Sequence, residues 1–142
     1  MFKDIKENSK NIFYAVKMED IIEVEKALGI IFPKELKNFY LEVGYGFIHS
    51  NIGNVNRIMH PFSVKDFRLR QNDFEYYPDI EIYDEFEDEK LIFFEGNEAS
   101  MLSIGLAPEE NDIFYYDEKV ANSFSDFLMK INEDDTFYYD AL

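Results

Sequence analysis

The segment from Glu19 to Gly46, EDIIEVEKALGIIFPKELKNFYLEVGYG, restricts the fold more than any other part of the chain. Ile21, Val24 and Leu28 stand at i, i+3 and i+7, one stripe of an α-helix. Glu19 and Asp20 fall in its first turn, where the helix dipole favours negative charge. Gly29 can adopt the left-handed conformation that closes a helix. Pro33 suits the first turn of a second helix, because the N–H it lacks would have no partner there. Leu36, Phe39, Tyr40 and Val43 then repeat the helical stripe, and Gly44 and Gly46 end it with tight turns around Tyr45. The spacing predicts a helical hairpin with a short apolar bridge, residues 30–32.

After Gly46 the period changes. Residues 47–48 and 55–59 are expected as short strands, with Asn51, Gly53 and Asn54 turning between them. Ser63 is a candidate cap for a short helix through Val64, Phe67 and Leu69. Residues 91–94 and 101–106 form a hairpin about Gly96-Asn97, residues 107–112 connect, and residues 113–116 make a third strand. Ser123 caps a closing helix with Asp126 at its third position, a relative of the capping box, and Phe124, Phe127, Leu128 and Ile131 form its stripe. At the other end, residues 5–16 are expected as a helix with Ile5, Ile12, Phe13 and Val16 partly in phase. Helices, then a strand meander, then a helix define an α+β fold. The antiparallel sheet is packed on one side by the N-terminal helical hairpin and the C-terminal helix. Residues 1–142 read as a single domain without repeats or linkers.

Composition narrows the function. Thirty acids against fourteen bases give a formal net charge of −16. Acidic chains poor in aromatics are often disordered, but fifteen Phe and ten Tyr supply a core here. The charge disfavours direct nucleic-acid binding, which depends on Lys and Arg displacing counterions. It disfavours anionic membranes for the same reason and favours a basic protein partner. Solubility alone would also account for it. The absence of cysteine excludes disulfides, thiol catalysis and thiolate metal sites and suits a reducing compartment. The polar start, MFKDIKENSK, lacks the apolar core of a signal peptide, so a cytoplasmic location is expected.

Catalytic signatures are lacking. His49 and His60 are the two histidines, and their spacing fits no common zinc pattern. Ser103 precedes Ile104-Gly105 without the flanking glycine of a nucleophile elbow. Gly44-Tyr45-Gly46 is too short for a nucleotide-binding loop. Neither acidic run, 79–89 or 132–135, has the calcium-loop pattern, although weak divalent binding stays open. The expectation is a non-enzymatic protein that needs no cofactor.

One compositional island stands out. Residues 73–98 carry eleven acids against Lys90 alone, and residues 132–142 repeat the acid-aromatic mixture as a tail. Ile80, Ile82 and Phe86 alternate with acids as in a half-buried strand, which with Phe74 would make the acids a solvated face. The alternative gives Asp79, Glu81, Asp84, Glu85, Glu87, Asp88 and Glu89 to a basic partner, with Tyr76, Tyr77 and Tyr83 as aromatic anchors.

Read together, the two ends of the chain resemble the SUKH superfamily, of the SMI/KNR type. Glu25, Leu28, Gly29, Phe32, Pro33, Phe39, Gly44 and Gly46 match its opening signature. Asp117, Ala121, Ser123, Phe124, Phe127 and Leu128 match its strand-acid and S-F-x-x-F-L helix. The resemblance spans about residues 19–131 and is strongest toward bacterial members. It implies an immunity protein, or antitoxin, that binds and neutralises a polymorphic toxin domain, often a nuclease. Fungal relatives imply the alternative, a cytoplasmic scaffold of the cell-wall-regulator type. The matched positions are mostly core and turn residues, so the resemblance assigns no contact residues.

Overall fold

The computed structural model describes residues 2–49, 55–86, 89–96, 100–106 and 111–141, the side chains of residues 85, 86, 140 and 141 excepted. Among these, seven strands form one sheet in chain order: β1 (Ile12–Tyr14), β2 (Tyr45–Phe47), β3 (Arg57–Ile58), β4 (Lys90–Glu95), β5 (Met101–Gly105), β6 (Ile113–Tyr115) and β7 (Glu118–Ala121). Every neighbouring pair is antiparallel. Five α-helices accompany it: α1 (Lys3–Glu7), α2 (Met18–Leu28), α3 (Lys34–Glu42), α4 (Pro61–Leu69) and α5 (Phe124–Glu133). This is the α+β meander expected. None of these helices is long and apolar enough to cross a membrane.

The α2–α3 hairpin is built as its sequence requires. Gly29 closes α2 at φ 66°, with its N–H on the Glu25 carbonyl. The Glu25 carboxylate then reaches across the bridge to accept the Phe32 N–H at 2.8 Å and meets Lys37 Nζ at 3.4 Å. Phe32 is buried while Ile31 points to solvent. Pro33 caps α3 rather than opening it. In α5, Ser123 Oγ accepts the Asp126 N–H, and the Asp126 carboxylate accepts the Asn122 N–H at 2.9 Å. Phe124, Phe127, Leu128 and Ile131 are all buried.

Strand register assigns α3 and α5 to one face. Side chains alternate across a strand, and Phe13, Ile58 and Phe94 lie on the same side through the pairs Phe13↔Gly46, Gly46↔Ile58 and Ile58↔Phe94. Phe13 meets Phe39 of α3 edge-on at 5.7 Å, and Phe94 meets Phe127 of α5 at 5.3 Å. A bulge between Ile92 and Phe94 adds Phe93, which contacts Phe124 and Phe127. Edge-to-face pairs of this kind add to the burial they accompany.

Three local expectations are corrected. Residues 5–16 are not one helix: α1 ends at Glu7, and a turn at Asn8 leads into β1. Asn8 Oδ1 accepts the Lys10 N–H and Asn8 O the Asn11 N–H, each at 3.0 Å. Asn11 Oδ1 in turn holds the His49 N–H. Side-chain bonds to backbone of this kind compete with helix. Second, Ser63 does not cap α4. His60 does, its Nδ1 accepting the Phe62 N–H at 3.0 Å, with Pro61 at the first helical position. Third, Gly46 does not end a helix but lies within β2. Gly44 (φ 121°) and Gly46 (φ 146°) lie against the β1 backbone, where an added Cβ would strike Tyr14 O and Ile12 O respectively. The tail docks on the core. Residues 137–141 form a 3₁₀ turn, and Tyr138 is fully buried against Phe94 and Tyr115. The expected turn at Asn51, Gly53 and Asn54 and much of the connector 107–112 lie outside the described residues, as does Asn97.

Candidate protein-binding face

The sheet's second face carries one cross-strand row: Ile12↔Phe47↔Arg57↔Glu95↔Met101. Over its β4–β5 end lies the acidic island. The Tyr77 hydroxyl donates to Glu95 Oε2 at 3.2 Å, and Glu95 Oε1 also binds Arg57 Nε and Nη2 at 3.1 and 2.8 Å. Tyr83 Oη accepts the Met101 N–H at 3.2 Å, and the ring stacks on Tyr116. Phe74, Tyr77 and Tyr83 each pack on Phe67 of α4. Ile92, Met101 and Ser103, whose register places them on this face, are buried. The island is therefore a layer of the fold with acids on its outer surface.

Its conformation corrects the strand reading. Residues Ile80–Phe86 form a 3₁₀ helix, whose period is three residues rather than two. Ile80 and Tyr83 therefore share a side, half-buried and buried respectively, while Ile82 is 43% exposed. Glu81 and Asp84 also eclipse one another, both exposed. Asp79 precedes the turn at φ 58° and is exposed.

The expected site residues consequently divide. Tyr76 is 88% exposed and Tyr77 half-buried, but Tyr83 is 3% exposed and serves the core, not a surface anchor. Burial and the adjacent Glu95 carboxylate push the Tyr77 hydroxyl up to about 12. Burial also raises Tyr83 far above the usual phenol range. Asp84 is held by Arg70 at 2.6 Å, which reduces its contribution to the local negative field. Glu89 is exposed, and its carbonyl accepts the Leu106 N–H. The Glu85 side chain, and Glu87 and Asp88 altogether, lie outside the described residues.

The β1–β2 end of the same face has no such cover among the described residues. Ile12 and Tyr14 are 46% and 51% exposed, and Tyr45 and Phe47 beside them are half-buried. A row of rings crosses this end: Tyr14–Tyr45 at 5.5 Å, Tyr45–His60 at 4.8 Å and His60–Phe62 at 4.9 Å. His60 Nε2 lies 3.5 Å from Asp20 Oδ2. Sequence reasoning missed this surface because it placed Ile12 and Phe13 in a helix. The available signal was the β-favouring run Ile12-Phe13-Tyr14, which carries no polar alternation.

Among the described residues no group of three or more His, Asp or Glu is arranged to hold a metal ion. What the face carries is exposed rings on a sheet beside exposed carboxylates.

An antiparallel meander backed by a capped helical hairpin and an S-F-x-x-F-L closing helix defines the class. The chain belongs to the SUKH family whose model is described as SMI1-KNR4 cell-wall, matched over residues 18–128. Immunity protein YxxD of Bacillus subtilis (strain 168) is 58% identical over 139 residues, spanning 97% of this chain and 95% of that protein.

Proposed function

We propose that this chain is an immunity protein of the bacterial cytoplasm that binds and neutralises a toxin domain with a cationic active-site cleft, of the nucleic-acid-cleaving kind. Near-full-length similarity to an immunity protein carries the reading. The charge of −16 supports it, since a cleft that must hold phosphates is positive and an anionic protein is drawn to it. Blocking requires no chemistry from the chain. It acts by binding alone, without cofactor, and excludes substrate from the cleft.

The island supplies the long-range attraction through Asp79, Glu81 and the acids that follow, with Tyr76 as an exposed ring for close contact. Association should be fast at low salt and slow steeply as salt rises, because the Debye length shrinks to about 8 Å at physiological ionic strength. The description of the family model as cell-wall keeps a scaffold role as the second reading.

Co-expression tests the proposal. The C-terminal domain encoded by the toxin gene adjoining this chain's own gene is induced with and without the chain. Restored growth, with a stable complex from the purified pair, is the expected result. Unrelieved toxicity and no complex would favour the scaffold reading.

A further inference from the structure

We infer that the β1–β2 end of the sheet's second face, where exposed Ile12 and Tyr14 adjoin half-buried Tyr45 and Phe47 among the described residues, is the docking floor for the toxin domain, with the acidic island as its wall. The inference rests on the immunity reading above and deepens it by assigning the surface.

Continuity is the first argument. Ile12, Phe47, Arg57, Glu95 and Met101 form one row. The island covers that row as far as Glu95, where Tyr77 is tied down. Floor and wall therefore adjoin along the Arg57–Glu95 pair. Glu95 Oε1, which takes both Arg57 Nε and Nη2, offsets the Arg57 charge, which would otherwise repel a basic partner at the seam.

The second argument is composition. Ile12↔Phe47 and Tyr14↔Tyr45 are cross-strand pairs, so these side chains form a contiguous patch rather than scattered exposure. Contiguous apolar surface on a soluble protein marks a binding site. Aromatic residues dominate the hot spots of interfaces, and a polar rim surrounds them. Exposed Tyr14 is also the kind of ring on which an arginine stacks well.

Charge selects the occupant. Residues 71–86 contain no Lys or Arg, and Asp73, Glu75, Asp79 and Glu81 are all exposed. Exposed Lys10 and Lys17 lie just outside the two ends of β1. Lysines about an edge strand oppose strand-to-strand addition, so the partner sits on the face rather than extending the sheet. A cationic protein surface with a projecting arginine fits the rings and the wall together.

Binding of the purified toxin domain is measured by surface plasmon resonance at two salt concentrations. The variants are Ile12→Ser/Tyr14→Ser, the single Tyr14→Ser, the wall variant Asp79→Lys/Glu81→Lys, and Met129→Ser as an exposed control on α5. Loss of a hot spot weakens binding by about 30-fold or more. The floor double variant should show this almost wholly as faster dissociation. The wall variant should slow association and flatten its salt dependence, and the control should match wild type. Near-ultraviolet circular dichroism confirms folding, and the single variant keeps the test decisive if the double one unfolds. If wild type binds and the floor variants bind as tightly, the docking assignment is wrong while the immunity reading stands. If wild type does not bind, both fall. If wild type is a dimer that Ile12→Ser/Tyr14→Ser dissociates without weakening toxin binding, the occupant is a second copy and the assignment is overturned.

Discussion

The Tyr138 hydroxyl donates to Asn56 Oδ1 at 2.6 Å, joining residues 82 positions apart that are both fully buried. Asn56 Nδ2 in turn donates to the Asp135 carbonyl at 2.9 Å. One buried amide thus ties the tail to the strand side of the core. Its backbone carbonyl also accepts the Ile48 N–H at 2.8 Å. The tail is part of the domain.

Replacing Tyr138 with Phe removes the donor and strands a buried amide oxygen. The expected cost is about 1–3 kcal/mol, the desolvation penalty of an unsatisfied acceptor. Tyr138→Ala also empties a site packed by Phe94, Tyr115 and Phe137 and should cost about 3–5 kcal/mol. Urea unfolding should show lower midpoints at an unchanged slope. A double-mutant cycle with Asn56→Ala should show strong coupling.

Gly44→Ala and Gly46→Ala should each destabilise by about 1–3 kcal/mol, because both sites have positive φ and no room for a Cβ. The obstacle in each case is the β1 backbone, so the damage should concentrate there. Hydrogen exchange should show earlier loss of protection in residues 12–14 than in β4 and β5. Gly29→Ala is the contrast: its φ of 66° is strained for alanine, but nothing lies within 4 Å of the added Cβ.

These positions show what the sequence made legible. Helix periodicity and capping residues located α2, α3 and α5, because such signals are local and each residue reports on its own turn. The island misled because apolar-acid alternation mimics a strand. Tyr83 is buried through a period of three, and what selects it is Phe67, Tyr116 and the Met101 N–H from elsewhere in the chain. Strand β1 was hidden because three residues carry too little pattern to outweigh nearby helical spacing. Tail docking depends on Asn56, a partner that no local window contains.

Phenol ionisation should show four tyrosines that titrate late. Burial is the leading cause that raises Tyr40, Tyr77, Tyr83 and Tyr138 above the ordinary 10.0, Tyr77 to about 12. The folded state thus prefers their neutral form. Their contribution to stability is complete below pH 10 and is lost as pH rises beyond it, because the unfolded chain releases protons that the fold retains. Absorbance at 295 nm should show these four lagging an ordinary phenol and then appearing together as the protein unfolds. Tyr83→Phe should remove one of the lagging groups.

His60 should make the fold sensitive to mild acid. Burial lowers its pKa below the ordinary 6.5, against the opposing pull of the Asp20 carboxylate. The geometry agrees, because Nδ1 must keep its lone pair to accept the Phe62 N–H that starts α4. The neutral ring therefore carries its proton on Nε2, toward Asp20. With the folded value depressed, stability is fully present above the unfolded value and declines as pH falls below about 6.5, where the unfolded chain takes up a proton that the fold resists. The Asp126 carboxyl is also lowered, mainly by the N–H of Asn122, but acts near or below 3.8, so the two windows are separate. His60→Asn should retain a side-chain oxygen for the cap and abolish the upper window. Urea unfolding at pH 7.0, 6.0 and 5.0 should show wild type losing stability over that range and the variant much flatter. Parallel declines would mean that the neutral His60 cap does not set this part of the acid response.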